Sequence, residues 1–262
     1  MRALYDSTPT EPNQRTRAQK DLCLAANLGI IGYYEACRLQ ENISALRAVG
    51  YIPDSMLLLQ HNHVFTLGKH AEQTDVLANE TVLKNIDIEI HRVDRGGQVT
   101  YHGPGQMVVY PILDVRSQGG VAKYIETLKS IIIRTLSDFG IAGYSKDNLT
   151  GVWVGKAKIA AIGVRIKRGI TTHGFALNVN TDLSYFQHIV ACGDPELECA
   201  SMMEITRKNI PLSLVADKLK YHASILFERA MIDSTIEDVL SYSQPINYDH
   251  GHHDDGASDL AL

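Results

Sequence analysis

A chain of 262 residues, 45% of them hydrophobic and 21% charged, can bury the core of one large domain or two small ones, which excludes broad disorder. A net charge of −5 and a pI near 6.1 argue against nucleic acid as a main partner. No apolar run approaches the roughly 20 residues of a membrane span, and the cysteines Cys23, Cys37, Cys192 and Cys199 form no CxxC pair, so a reducing compartment, the cytoplasm, is expected.

Residues 1–20 are polar, carry Pro9 and Pro12, and read as a flexible arm before a single catalytic domain over 21–242. Apolar spacing at Tyr34, Cys37, Leu39, Ile43 and Leu46 predicts a helix over 33–49, stopped by Gly50. Cys23 reads as a linker residue and Cys37 as a helix-core one. Residues 56–68, MLLLQHNHVFTLG, predict two strands or a hairpin. A short helix over 75–85 with Thr74 as its cap follows, then a strand over 87–94. Residues 95–114, RGGQVTYHGPGQMVVYPILD, predict a glycine-rich loop, a short strand, a turn and a buried strand. Tyr124, Leu128, Ile131, Ile132 and Leu136 predict a helix over 121–139, closed by Gly140. Three strands are expected over 151–180, an amphipathic helix over 212–231 and a short one over 236–242. The tail over 243–262 is small, polar and acidic and reads as disordered. Its His250, His252, His253, Asp254 and Asp255 suit only adventitious ion binding, so no metal is assigned. Strands that follow strands directly favour an α/β fold with a mixed β-sheet and flanking helices.

The densest cluster of special residues runs from Arg95-Gly96-Gly97 to His102-Gly103-Pro104-Gly105. Its glycines would let a ligand approach the backbone, or would simply shape a tight hairpin. It is no phosphate loop, since GxxxxGK[ST] and GxGxxG are both absent.

Together with four further segments, LGIIGYYEACRLQ (28–40), LLLQHNHVFTLG (57–68), KIAAIGVR (158–165) and GFALNVNTDLSYFQHIVACG (174–193), this cluster closely resembles the lipoyl (octanoyl) transferases of lipoate biosynthesis. The resemblance implies a biotin/lipoate protein ligase-like (class II synthetase-like) fold. It implies octanoyl transfer from octanoyl-acyl carrier protein to a lysine of lipoyl domains or the glycine cleavage H protein, through a cysteine thioester and without a cofactor. Carried over by motif, the nucleophile is Cys192 and its partner Lys158. The substrate-binding residues are Arg95, Gly96, Gly97, Gln98, Val99, Thr100, Tyr101 and His102, then Ala161, Ile162 and Gly163, then Gly174, Phe175 and Ala176. Two positions depart from the family's pattern. Ala191 stands where proline usually precedes the cysteine, and Ala200-Ser201 stands in the region of a Thr-Ser pair.

The residue types suit that chemistry. Thioester-to-thioester exchange is nearly balanced in energy, and a cysteine is mostly thiol at neutral pH until a nearby ammonium favours the thiolate or a neutral amine takes the proton. In a regular strand Lys158 shares its side with Ala160, Ile162, Val164 and Ile166, which would point it to the apolar face; a bulge near Gly163 would spoil that parity. Burying six methylenes is worth about 5 kcal/mol, so pocket depth would set chain length. The small residues Ala160, Ala161, Gly163, Gly174 and Ala176 would leave that room or serve close strand packing. His102 and backbone amides near Gly163 are candidate oxyanion donors. Lys156, Arg165, Lys167 and Arg168 read as a docking patch for an acidic carrier. An ATP-dependent lipoate or biotin ligase on the same fold, and a non-catalytic carrier-binding module, are the competing readings.

Overall fold

The computed structural model describes residues 21–116, 119–147 and 149–241. The expected arm and the expected tail both lie outside them. Among the described residues ten strands form two sheets. The large sheet contains β1 (Leu22–Ile31), β2 (Asp54–His61), β6 (Gln106–Ile112), β7 (Gly151–Val154), β8 (Ala157–Lys167), β9 (Ile170–Asn178) and β10 (Ala230–Ser234), in the order β10-β1-β2-β6-β9-β8-β7. β1 runs parallel to β10 and β2, and every other pair is antiparallel. The small sheet contains β3 (Val64–Leu67), β4 (Glu89–Arg92) and β5 (Val99–His102), in the order β4-β3-β5. This is the mixed sheet that direct strand-to-strand connections predict.

Helix α3 (Gly120–Asp138) forms on the expected period, with Tyr124, Leu128, Ile131, Ile132 and Leu136 all buried. After the short α4 (Met202–Thr206) comes α5 (Leu212–Phe227), which with α3 covers one face of the large sheet, over Met56, Leu58, Val109, Ile159, Ala160, Ile162, Phe175 and Leu177. Helix α1 (Tyr33–Ala48) lies on the other face, over Leu57, Leu59, Val108, Tyr110 and Ala176. Among the described residues no helix is long and apolar enough to cross a membrane.

The tertiary context corrects several expectations. Tyr34 is exposed; α1 buries Tyr33, Ala36, Gln40 and Ile43 instead. A hydropathy pattern has no way to count Gln40, whose Oε1 accepts the His173 backbone N–H at 2.6 Å. Of the two alternatives over 56–68, two separate strands form and the hairpin does not: β2 joins the large sheet and β3 the small one, and β5 and β6 separate in the same way. The cap of helix α2 (Glu80–Asn85) is Asn79, which accepts the Val82 N–H at 3.0 Å, rather than Thr74. Helix α5 stops at Phe227 because Glu228 turns left-handed at φ 55°, and the expected last turn becomes β10 on the edge of β1. Cys23 is a core residue of β1, not a linker.

One buried ion cluster ties the sheet ends together. Fully buried Asp54 accepts from Arg47 Nε at 2.7 Å, Arg229 Nε at 3.0 Å and the Asp114 backbone N–H at 3.0 Å. Asp54→Ala leaves two guanidinium groups beside an empty buried site and is expected to cost about 3–5 kcal/mol of unfolding free energy. A lower urea midpoint at unchanged slope would register it.

Candidate active site

A cleft of about 280 Å³ opens on the α1 side of the large sheet, roofed by the glycine-rich loop and β5. Its floor includes Ala161 and Gly163 of β8 and Ala176 of β9, with Ala161 paired to Ala176. Lys158 reaches the same cleft through a break in strand parity. Between β7 and β8 the partners run Val152 with Ala160, then Trp153 with Lys158, so Ile159 is an extra residue. The bulge therefore falls at Ile159, not near Gly163, and it separates Lys158 from the core-facing Ala160 and Ile162. The strand-parity expectation for Lys158 fails for that reason. Its Nζ donates to Cys192 Sγ at 3.1 Å and lies 5.3 Å from the centre of the Trp153 ring. Its stem crosses Gly151, where a Cβ would overlap Lys158 Cε and stand 2.7 Å from the Ala160 carbonyl oxygen. Gly151→Ala is expected to slow acyl loading by up to about 10²-fold through a misplaced amine, with little change in KM; single-turnover loading rates would show it.

Cys192 sits in the short turn Ala191–Gly193 in a left-handed backbone, φ 56° and ψ 20°, at a cost of about 1–2 kcal/mol for a residue with a Cβ. Three backbone bonds hold it there: Val190 N–H to Asp75 O at 2.7 Å, Gly193 N–H to Val190 O at 2.9 Å and Asp194 N–H to Ala191 O at 3.2 Å. Gly193 follows at φ 72°, and a Cβ on it would overlap the Gln98 carboxamide, so the loop and the cysteine turn pack directly. The other three thiols are poor rivals. Burial pushes Cys37 up to about 11 and Cys199 up to about 12, and it raises Cys23 further, so all three stay protonated. Cys199 is nonetheless adjacent: the Lys158 N–H donates to Glu198 O at 2.8 Å and the Ala200 N–H to Lys158 O at 3.0 Å.

Arg95 is buried and fastens the roof. Its Nη2 donates to Thr66 O and to Thr66 Oγ1, both at 2.7 Å, and its Nη1 to Gly96 O at 3.0 Å. The Gly96 N–H donates to Val164 O at 3.1 Å, pinning the loop to the free edge of β8. Burial lowers the Arg95 pKa from its ordinary value.

His102 belongs to a proton-ordered chain. The Asn178 Nδ2 donates to Ala200 O at 3.0 Å, so its Oδ1 accepts from Gln106 Nε2 at 2.9 Å. Gln106 Nε2 also donates to Tyr101 O at 3.1 Å, so Gln106 Oε1 accepts the His102 Nδ1–H at 2.7 Å. His102 Nε2 then carries no proton, and burial holds the ring well below the usual histidine pKa. His102 meets the cleft as an acceptor, which corrects its expected role as an oxyanion donor.

Arg95, Gly96, Gly97, Gln98, Val99, Thr100, His102, Lys158, Ala161, Ile162, Gly163, Gly174, Phe175, Ala176 and Cys192 all line the cleft. Tyr101 does not. Its hydroxyl bonds His63 Nδ1 at 2.8 Å and its ring stacks on Tyr185 under the small sheet. Gly174 serves close strand packing, since a Cβ there would overlap the Val109 carbonyl oxygen of β6. Lys156 precedes one end of β8, whereas Arg165, Lys167 and Arg168 lie at the other, most of an eleven-residue strand away, or about 30 Å. Arg165 is also paired with Asp94 at 2.7 Å, so the expected basic patch does not exist as one surface. Residues that sequence reasoning passed over include Gly151, Trp153, Tyr33 and Tyr110. Gln106 and Asn178 stood inside the quoted motifs, and their amide chain is visible only once β5, β6 and β9 meet.

Residues 32–224 match the family model for the lipoyl protein ligase A/B catalytic domain. An octanoyltransferase of Solibacter usitatus is 51% identical over 172 residues, 65% of this chain and 78% of the relative. One from Koribacter versatilis is 42% identical, covering 79% of this chain and 84% of the relative. A mitochondrial octanoyltransferase of Arabidopsis thaliana is 43% identical, covering 70% and 79%. Among solved structures, lipoate-protein ligase A bound with ATP superposes with a TM-score of 0.68 at 15% identity, covering 85% of this chain and 92% of that one. The putative lipoate protein ligase Ta0514 from T. acidophilum gives 0.68 at 16% identity, covering 84% and 92%. The fold is therefore the lipoate protein ligase fold, and the chain belongs to the lipoyl (octanoyl) transferase family as an acyltransferase of lipoate biosynthesis.

Proposed function

We propose that this acyltransferase takes an octanoyl group from octanoyl-acyl carrier protein onto Cys192 and passes it to a lysine of lipoyl domains, the glycine cleavage H protein included. The observation that carries the reading is the 3.1 Å contact between Lys158 Nζ and Cys192 Sγ in a cleft floored by Ala161, Gly163 and Ala176. The sulfur attacks the carrier thioester, the carrier thiol leaves with a proton, and the acyl group stays on Cys192. The acceptor amine then attacks that carbonyl, the carbon–sulfur bond breaks and an amide forms. Lys158 is placed to hand the surplus proton to the departing sulfur. The oxyanion falls to the backbone N–H groups of Gly97 and Gln98, which line the cleft and have no acceptor among the described residues. Lys146 beside Trp153 at the cleft and exposed Lys156 near it suit an acidic carrier. The four free thiols suit a reducing compartment, the cytoplasm in this reading.

The test supplies the wild-type protein with octanoyl-acyl carrier protein, then with apo lipoyl domain. An octanoyl mass on the enzyme, released by hydroxylamine and mapped to the Cys192 peptide, followed by an octanoyl mass on the acceptor lysine, is the expected result. Lipoylation that requires ATP and free acid, with no enzyme adduct, would favour the ligase reading instead.

A further inference from the structure

A second cavity of about 300 Å³ lies behind the acyl cleft, bounded by Cys37, Gln40, Ser44, Arg92, Asp94 and Arg165. Among the described residues only two side chains line both cavities, Tyr33 and His173. They form the partition between them. Tyr33 is the first residue of α1 and is buried. Its ring lies parallel to His102, with centres 6.2 Å apart, and stands 5.0 Å from His61 and 5.4 Å from His91. His173 completes the wall from β9, three residues along the strand from Ala176, or about 10 Å. It is held from several sides: a left-handed backbone at φ 56°, its N–H on Gln40 Oε1, and its Nε2 at 3.2 Å from Asp94, which also pairs with Arg165. Tyr33 is tied more lightly, by a hydrogen bond between its hydroxyl and the Cys37 thiol one turn on in α1, so its ring is the part of the wall that a substitution can remove with the fewest bonds lost.

We propose that Tyr33, backed by His173, is the end wall of the acyl slot and sets the longest chain the enzyme accepts, with the second cavity as the space a longer fatty acyl chain would enter once the ring is gone. The proposal rests on the reading of Cys192 as the acyl carrier. Along the floor the order Lys158, Ala161–Ala176, Gly163, His173 leads from the nucleophile's partner to the wall, a path suited to an extended medium-length chain. A chain that overruns the wall meets the Tyr33 ring, which lies parallel to His102 with centres 6.2 Å apart, and can go further only by displacing it. With the ring removed, each further methylene that finds apolar cover is worth about fourfold in affinity.

The experiment measures loading of Cys192 by intact mass from a series of acyl-acyl carrier proteins with eight, ten, twelve and fourteen carbons. The wild type and Tyr33→Phe, which keeps the ring, are expected to favour eight carbons strongly. Tyr33→Ala should raise the twelve-to-eight loading ratio at least about tenfold. Adding Ser44→Trp, which refills the second cavity from the same helix, should return the ratio toward wild type, which general loosening of the fold would not do. A folded Tyr33→Ala protein with an unmoved ratio overturns the proposal. Should Tyr33→Ala fail to fold by its melting curve, Tyr33→Leu is read with the ten-carbon donor, and an unmoved ratio there overturns it equally. Failure of the wild type to load any chain would instead sink the Cys192 reading, which keeps the two failures apart.

Discussion

Cys192→Ala is expected to give a folded protein that acquires no octanoyl mass and transfers none, a loss of roughly 10⁴–10⁶-fold in turnover. The size follows from the covalent route: without the sulfur there is no acyl intermediate, and what remains is whatever the bound geometry does for direct aminolysis. The fold should hold, because the substitution removes one atom from the edge of a cleft and leaves the three backbone bonds around the turn unchanged. Two assays check it together: intact mass after incubation with octanoyl-acyl carrier protein, and the melting temperature. A normal adduct on Cys192→Ala would defeat the assignment, and Cys199, a few residues on and next to Lys158 in the backbone, would be the first place to look for it.

Lys158→Met should come second, slowing both loading and transfer by about 10²–10⁴-fold while octanoyl-carrier KM changes little. Methionine keeps a flexible stem across Gly151 and loses the amine that bonds the sulfur. Loading then depends on the sulfur finding its own thiolate, so alkaline pH should restore part of the rate in the variant. Lys158→Arg should not rescue, since a planar fork cannot replace a compact amine in the space between Gly151, Trp153 and Cys192. A variant with unimpaired transfer would reduce Lys158 to a packing residue on Trp153.

Local pattern served where one face of an element decides its place. The period of α3, the buried run of β6 and the three strands β7 to β9 could all be read directly, because each buries a face whose spacing is printed in the chain. Pattern misled where a polar residue does the burying or a neighbour intervenes. Gln40 is core in α1 because a backbone N–H of β9 reaches it, and β10 leaves its helix because β1 offers an unpaired edge. The site followed the same division. The residue types at Cys192, Lys158 and the glycine-rich loop came from motif. The one-residue bulge at Ile159 that turns Lys158 into the cleft did not, nor did the amide chain that strips His102 of its Nε2 proton.

By itself, then, the amino-acid order determined the class of fold and the family and marked Cys192 and Lys158 as the candidate nucleophile and amine, because side-chain chemistry and short-range periodicity are local properties. Only the tertiary structure decided which face Lys158 takes, which histidine atom meets the cleft and which residues stand between the two cavities. Those outcomes depend on a register slip between strands and on a wall shared by residues 140 positions apart, and no local pattern encodes a contact between distant segments.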